Sequence, residues 1–237
     1  MQSSKLRIGI ISAEKSGDYL AASFIESLKS SGRDFELFGI GGKELDNFNI
    51  SRPQDFDREI LNVMGIIDPL KNLRQILRAR KQILDFLISK NINIFIGVDS
   101  PDLNSFFHKN LKKINSTINF QIVSPSVWAW RSGRVKQLRK FVDTTFCLFK
   151  FEHKYLKKHD VNSFHVGHPF QDIEKVEDVS SIKNRYGIKN DSECLTFLVG
   201  SRRSEISNML SIYKKVIKKV YEGDKSYSFL FPVANQD

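Results

Sequence analysis

The residue best suited to acid–base chemistry is Asp99, within Gly97-Val-Asp-Ser-Pro-Asp-Leu-Asn104. It follows Ile92–Val98, an apolar run typical of a parallel strand that is buried on both faces. Ligand sites of open α/β sheets lie at the carboxyl ends of strands, and Asp99 is the first polar side chain past this one. A carboxylate there can take a proton from an attacking hydroxyl. A turn or helix cap is the structural alternative, and it suits Asp102 better because Pro101 and Asp102 can open the next helix.

Both tryptophans of the chain lie two positions apart in Ser124-Pro-Ser-Val-Trp-Ala-Trp-Arg131, just after a predicted strand. Tryptophan is unfavourable in a loop unless it packs or stacks on something. Trp128 and Trp130 are therefore candidates for substrate binding, with packing at a domain edge as the alternative. Arg131 beside them is suited to hold a phosphate through its guanidinium fork.

Two strand-to-helix turns are suited to anions, because the free backbone N–H groups of a helix N-terminus point at a ligand there. The first turn, Ala13-Glu-Lys-Ser-Gly-Asp18, matches neither the dinucleotide-binding nor the P-loop glycine pattern, and local physics favours the structural alternative, Ser16 as a helix N-cap. The second turn, Gly200-Ser-Arg-Arg-Ser-Glu205, suits a diphosphate. The candidate binding residues are Ser16, Gly17 and Asp18 in the first turn and Gly200, Ser201 and Arg202 in the second.

A basic amphipathic segment, Asp68–Lys90, is predicted to be helical and to follow an apolar patch at Val63–Ile67. Such a helix can lie on anionic lipid or hold acyl chains. The alternative is a core-facing helix with a solvated basic outer face, and both descriptions can apply to different faces. The candidate contacts with membrane or acyl chains are Val63, Met64, Ile66, Ile67, Leu70, Leu73, Arg74 and Leu77.

Composition limits the class of protein without choosing a partner. The chain has 37 basic and 27 acidic residues, a net charge of +10, which favours an anionic partner such as nucleic acid, a phosphorylated substrate or an acidic membrane. Cys147 and Cys194 lie in apolar runs, as reduced core thiols do. Since no ligand spacing for a metal is present, a metal-independent protein is expected. The N-terminus does not have the pattern of a secretory signal, and no window is apolar enough to cross a membrane.

Strand-like and helix-like segments alternate along the chain, which predicts an α/β fold with a parallel sheet and crossover helices. The predicted boundaries are a first domain over residues 1–168, a charged linker over 169–191 and the start of a second domain over 192–237. At the first boundary, His168 either acts in a cleft or is a satisfied structural group, and the second description is favoured.

Taken in order, these motifs resemble one family, lipid-A-disaccharide synthase, across nearly the whole chain. The run with the two tryptophans is very specific, whereas the other motifs gain weight from their order. The matching pieces are Glu14-Lys-Ser-Gly-Asp18, Val63-Met-Gly-Ile66, Gly97-Val-Asp-Ser-Pro-Asp-Leu-Asn104, Val123-Ser-Pro-Ser-Val-Trp-Ala-Trp-Arg131, Val166-Gly-His168 and Gly200-Ser-Arg202.

The resemblance implies an inverting glycosyltransferase with two Rossmann-like domains of the GT-B type. It would condense UDP-2,3-diacylglucosamine with 2,3-diacylglucosamine 1-phosphate to give the tetraacyl disaccharide 1-phosphate and UDP. Asp99 would be the base and Arg202 would hold the diphosphate. The resemblance implies a cytoplasmic enzyme, peripheral on the anionic inner-membrane surface, with no cofactor and no nucleic-acid partner. It leaves a homodimer open.

Two departures from the family pattern qualify this expectation. Val199 stands where the family usually has proline before the Gly-Ser-Arg turn. Family members also continue well past the position of Asp237, so the second domain is expected to be incomplete here. The alternatives are an inactive fragment, a basic module that binds membrane or nucleic acid, and another GT-B transferase or epimerase.

Overall fold

The protein is described by a computed structural model over residues 5–56, 73–114, 116–128, 133–172, 178–200, 203–224 and 226–233. The chain forms two compact units, Met1–Ile173 and Glu174–Asp237, which are described separately. The predicted domain boundaries remain a prediction.

The first unit is built on a six-stranded sheet in the order β2-β1-β3-β4-β5-β6, and every neighbouring pair is parallel. This confirms the predicted parallel α/β sheet, and the strand predicted at Ile92–Val98 is observed at Ile94–Val98. The strands are β1 Leu6–Ser12, β2 Phe35–Ile40, β3 Ile94–Val98, β4 Ile118–Ile122, β5 Thr144–Cys147 and β6 Ser163–His165.

Helices connect these strands in the manner that parallel pairing requires. A 3-10 turn, Pro169–Asp172, closes the described part of this unit. Of the predicted helix Asp68–Lys90, residues 68–72 lie outside the described residues. The helices are α1 Lys15–Ser30, α2 Lys43–Asp46, α3 Leu73–Ser89, α4 Pro101–Ile114, α5 Gly133–Phe141 and α6 Lys150–Lys157.

Apolar side chains cover both faces of the sheet, so the central strands are buried almost throughout. On one face, Leu20 and Ile25 of α1 pack against Ile8 and Ile10 of β1. On the other face, α3 and α4 cover the sheet through a separate cluster that includes Phe95. Since α1 follows β1 on one face and α4 follows β3 on the other, the crossover direction reverses between these adjacent strands. The sheet is therefore doubly wound, with a topological switch point between β1 and β3.

The second unit contains a parallel strand pair, β7 Cys194–Thr196 and β8 Ser228–Leu230. Its helices are α7 Val179–Arg185 and α8 Arg203–Gly223. Helix α7 falls within the segment that the sequence analysis interpreted as an irregular linker, and the carboxylate of Asp178 caps it by accepting a hydrogen bond from the Ser181 N–H at 3.1 Å.

The core of the first unit supplies a stability prediction. Phe95 is fully buried, and its ring lies 6.1 Å from Phe107 and 4.9 Å from the His108 ring. We expect Phe95→Ala to lower the free energy of unfolding by about 3–5 kcal/mol, because it removes a large side chain from a packed core. Phe164→Ala is the matched control, since Phe164 is 57% exposed in β6, and it should cost less than about 0.5 kcal/mol.

Urea unfolding followed by tryptophan fluorescence measures this difference. Trp128 and Trp130 both fall within residues 1–173, so the signal reports the first unit. Equal midpoints for the two variants would contradict the proposed packing of β3.

Candidate active site

Polar residues meet where three central strands end. The strand registers pair Ser12 with Val98 and Val98 with Ile122, so β1, β3 and β4 end at the same level. The loop after β1 and the loop after β3 therefore leave the sheet side by side at the switch point. Ligands of doubly wound sheets bind in the crevice at this position.

The backbone at this edge has an unusual conformation. Asp99, Ser100 and Val123 have φ values of 49°, 36° and 72°, in the left-handed region that side chains other than glycine rarely adopt. Val123 is β-branched, for which this conformation is particularly unfavourable. Such residues cost on the order of 1–3 kcal/mol each, persist only where surrounding contacts hold them, and cluster at functional sites. The strain marks the ends of β3 and β4 as the candidate site.

The contacts that hold this backbone come from two buried amides. Asn104, in the first turns of α4, donates from Nδ2 to the carbonyl oxygens of Asp99 at 2.8 Å and Val98 at 3.2 Å. Gln121, in β4, donates from Nε2 to the carbonyl oxygens of Asp99 and Ile122, both at 3.0 Å. The Asp99 carbonyl thus accepts from two side chains, each almost completely buried.

His108 of α4 completes this cluster. Its Nε2 lies 3.0 Å from Oε1 of Gln121, and the side chain is buried against the ring of Phe95. Burial lowers the pKa of His108 from 6.5 to about 4, and the hydrogen bond to Gln121 offsets only part of that effect. The ring is therefore neutral near pH 7.

The first turn reaches Asp99 through a glycine. A methyl group added at Gly17 would lie 2.9 Å from Ser12 Oγ and 3.5 Å from Asp99 Cβ, so the first turn of α1 lies close to both residues. Ser12 Oγ is buried and has no hydrogen-bond partner among the described residues. The positive end of the α1 dipole therefore lies beside the Asp99 side chain, where it favours negative charge.

The other two candidates in this turn differ from each other. Ser16 is exposed in the first turn of α1, and the N-cap is Glu14, so the alternative of Ser16 as an N-cap is wrong. The buried Asp18 carboxylate accepts hydrogen bonds from the N–H groups of Gly42 at 2.7 Å and Glu44 at 2.8 Å. Asp18 therefore anchors the start of α2, which accounts for it structurally.

A row of exposed rings follows the same edge of the sheet. The ring centroids lie 4.7–6.3 Å apart between successive members, and five of the six rings are exposed by more than a third. We call this row the aromatic strip. Its members in order are Trp128, Phe151, Phe149, His168, Phe170 and Tyr19.

The strip bears on two sequence candidates. Trp128 is 38% exposed and its ring is perpendicular to that of Phe151, so part of the ring is open to solvent while another part packs on the protein. The His168 ring is tilted against those of Phe149 and Phe170, and its Nδ1 accepts a hydrogen bond from the Phe170 N–H at 3.1 Å. This contact favours the structural description of His168.

Asp102 and Pro101 have the structural positions that the sequence suggests. Pro101 is the first residue of α4, and Asp102 forms an ion pair with Arg134 beside a cavity of about 110 Å³. That volume has room for only a few water molecules.

Several candidates lie outside the described residues, and their placement stays a prediction. They are Val63, Met64, Ile66, Ile67, Leu70, Trp130, Arg131, Ser201 and Arg202. Leu73 opens α3, while Arg74 and Leu77 are exposed on that helix and Ile76 and Ile83 are buried. One face of α3 thus packs on the core and another is solvated, as the sequence suggests.

In the second unit, Gly200 has a φ of 95°. A methyl group there would come within 2.6 Å of Glu205, so the turn requires glycine. Val199 is buried ahead of this turn.

Within the described ranges, no group of three or more His, Cys, Asp or Glu side chains is arranged to hold a metal ion. The same residues contain no helix that is long and apolar enough to cross a membrane. Cys147 is a buried thiol whose pKa is raised to about 12 by burial, as expected of a core cysteine, and Cys194 is half-buried.

The fold is that of an open, doubly wound α/β domain, and the polar residues around Asp99 lie at its switch point. Solved structures share this fold at 12–13% sequence identity. A glycosyltransferase from Rickettsia africae aligns with a TM-score of 0.55 over 98% of this chain and 69% of its own. A UDP-GlcNAc 2-epimerase from Neisseria meningitidis, solved with bound UDP-GlcNAc, aligns with a TM-score of 0.53 over 98% of this chain and 66% of its own.

Sequence comparison gives the family. Residues 8–237 match the family model described as lipid-A-disaccharide synthetase. The lipid-A-disaccharide synthases of Acinetobacter baylyi and Hydrogenovibrio crunogenus are each 36% identical, over 87% and 96% of this chain. The chain belongs to the lipid-A-disaccharide synthetase family. It spans 52% and 60% of the length of these two relatives.

The candidates predicted from the sequence do not include the residues that hold Asp99. Asn104 is only the end of a motif there, and His108 and Gln121 are not among the candidates. A signal was present, because Asn119 and Gln121 alternate with apolar residues in a strand that parallel neighbours bury on both sides. Polar side chains at such positions require partners.

Because His108 is neutral when folded, it makes stability depend on pH. The unfolded chain protonates its histidine near 6.5, above the folded pKa of about 4, so the unfolded state gains protons first as the pH falls. The contribution of neutral His108 is therefore complete above about pH 6.5 and is lost between about 6.5 and 4. Between pH 7 and pH 5, the loss of this contribution should lower the free energy of unfolding by about 2 kcal/mol.

Urea unfolding at both pH values, compared with His108→Gln, measures this contribution. The variant should show a smaller loss between pH 7 and pH 5 by about 2 kcal/mol. The exposed His159 provides the control, and His159→Gln should retain the wild-type loss. If the wild type and His108→Gln lose equal stability, His108 is not a buried neutral group.

Proposed function

We propose that this chain forms the acceptor-side part of a lipid-A-disaccharide synthase. The reaction joins the 2,3-diacylglucosamine of its UDP carrier to the 6-hydroxyl of 2,3-diacylglucosamine 1-phosphate. The products are the β-1,6-linked tetraacyl disaccharide 1-phosphate and UDP. One observation carries the proposal: Asp99 lies at the switch point of the sheet, with a strained backbone that two buried amides hold in place.

Asp99 is proposed to be the general base. Its carboxylate takes the proton of the acceptor 6-hydroxyl while that oxygen attacks C1 of the donor sugar. The bond between C1 and the UDP oxygen breaks on the opposite side, and UDP leaves with the bonding electrons. This route inverts the anomeric centre and needs no covalent intermediate.

Departure of UDP requires stabilisation of charge that develops on the diphosphate. Arg202 and the backbone N–H groups of the Gly200–Arg202 turn are proposed for this role, because guanidinium forks match phosphate oxygens. The φ of 95° at Gly200 and its close approach to Glu205 support a tightly specified turn there.

The acceptor is proposed to lie along the edge between the α1 turn and the aromatic strip. The N-terminus of α1 at Ser16 and Gly17 offers N–H groups and a positive dipole end to sugar oxygens or phosphate. Trp128 offers an exposed ring, and Trp130 and Arg131 follow it in the chain. A sugar with two acyl chains suits an edge that combines polar N–H groups with exposed rings.

The acylated substrates also imply a protein that works at a membrane surface. We propose that residues 63–77 bind peripherally to the anionic inner membrane, because this segment of the sequence combines basic and apolar side chains. Support comes from the exposed Arg74 and Leu77 on α3, whose buried face is already packed on the core.

The base assignment gives a direct test. Asp99→Asn keeps the size of the side chain and tolerates the left-handed backbone, but it cannot accept the proton. We expect kcat for UDP release to fall by about 10²–10⁴-fold. The assay supplies both acylated substrates to the complete protein that the gene encodes.

Asp160→Asn is the matched control, because Asp160 is also left-handed, with a φ of 56°, and is exposed after α6. It should leave turnover within about twofold, since a substitution at an exposed residue outside the site changes little. Near-normal turnover by Asp99→Asn would remove the base assignment. Absence of UDP release by the wild type with both substrates would contradict the proposed reaction itself.

A further inference from the structure

Three buried polar side chains lie behind Asp99, on the side of the sheet covered by α4. Asn104, His108 and Gln121 are each at most 2% exposed. Burying so many polar groups in an apolar layer is unfavourable unless they are paired. Their hydrogen bonds form a connected set that ends on the peptide of Asp99.

Carbonyl oxygens determine how the Gln121 amide is oriented. Its Nε2 lies 3.0 Å from the oxygens of Asp99 and Ile122 and 3.3 Å from that of Val123. Carbonyl oxygens only accept hydrogen bonds, so the NH₂ group must face them. The amide oxygen Oε1 must then face His108.

This orientation in turn determines the state of His108. Since Oε1 of Gln121 is an acceptor, Nε2 of His108 must carry a proton and donate it across 3.0 Å. The lowered pKa makes the ring neutral, so Nδ1 carries no proton. Nδ1 has no hydrogen-bond partner among the described residues, which is consistent with a ring nitrogen that has no proton to donate.

Asn104 holds the same peptide from α4, and Gly97 makes room for both amides. A methyl group at Gly97 would lie 2.8 Å from Cβ and Cγ of Asn104 and 2.9 Å from Oε1 of Gln121. The glycine of the Gly97–Asn104 motif therefore allows two side chains to cross β3 and reach the Asp99 carbonyl.

We infer that Gln121 and Asn104 are positioning residues for Asp99, and that His108 orients the Gln121 amide. The two amides hold Asp99 and Ser100 in the left-handed conformation and so place the carboxylate beside the N-terminus of α1. None of the three touches the substrate. The inference rests on the proposed role of Asp99 as the base.

The test compares two substitutions of His108. His108→Gln retains an NH₂ group that can donate to Oε1 of Gln121, whereas His108→Leu has none. We expect His108→Leu and Gln121→Leu to lower kcat for UDP release roughly 10- to 100-fold, because a displaced base loses its alignment. KM for both substrates should stay within about twofold. His108→Gln should keep at least a third of wild-type kcat.

A second readout does not depend on sugar transfer. In the 237-residue chain, the ¹³C resonance of the Asp99 carboxyl group is followed against pH by NMR. The resonance and its titration midpoint should move in His108→Leu and Gln121→Leu but stay at the wild-type position in His108→Gln. Amide spectra of the remaining residues show whether each variant is folded. If Gln121→Leu does not fold, the comparison of His108→Leu with His108→Gln decides the test.

The outcomes separate the two proposals. Normal turnover in Asp99→Asn defeats the base assignment, and the NMR comparison then still reports whether the amides hold Asp99. Loss of turnover in Asp99→Asn together with normal kcat in folded His108→Leu and Gln121→Leu defeats the positioning role. Equal losses in His108→Gln and His108→Leu, with unchanged Asp99 resonances, would show that His108 only packs the core.

Discussion

The structure around the site depends on one constraint: only two residues connect the end of β3 to the start of α4, and both have a left-handed backbone conformation. Asp99 and Ser100 take up this turn, and Pro101 begins the helix at once. A residue before proline already avoids the right-handed helical region, so Ser100 has few conformations available. The turn costs free energy at both positions, and neighbouring groups must supply contacts that only this conformation satisfies.

Those contacts explain why polar side chains are buried in an otherwise apolar layer. Asn104 and Gln121 come from different elements, yet both donate to the Asp99 carbonyl. Each is buried between the sheet and α4, where an unpaired amide would be strongly unfavourable. The conformation of Asp99 and the pairing of the amides therefore stabilise each other. Changing either leaves a buried donor or acceptor without its partner, and this mutual dependence restricts the site to one arrangement.

Much of the fold could be predicted from the sequence, because parallel strands buried on both faces appear as short apolar runs. The apolar run Ile92–Val98 predicts β3 in this way, and the strand itself spans Ile94–Val98. Asp99 was identified for the same reason, as the first polar residue after such a run. Helix α1 begins at Lys15, within the predicted turn Ala13–Asp18, because Glu14 caps it without a side-chain hydrogen bond and no capping signal marks that position. Helix α7 was missed because none of its residues is buried, and no apolar periodicity marks it.

The supporting residues are hidden from sequence reasoning for another physical reason. Asn104, His108 and Gln121 meet only because β3 pairs with β4 in a particular register and α4 packs back on that pair. Local patterns report propensity and burial of apolar surface, whereas hydrogen-bond partners are a tertiary property. Gly97 is the exception, because a glycine in a buried strand signals close approach by another group. Here the approaching groups are the two amides.

The form of this support also suits a base. The amides of Asn104 and Gln121 bind the peptide oxygen of Asp99, not its carboxylate. A hydrogen bond to a carboxylate stabilises the charged form and weakens it as a proton acceptor. A hydrogen bond to the peptide oxygen fixes the position of the residue without that penalty. A charged His108 would bring a cation close to the site, and burial prevents this by lowering its pKa to about 4. The neutral, buried cluster can therefore fix where Asp99 lies without bringing a hydrogen bond from these two amides, or a cation from His108, to the carboxylate.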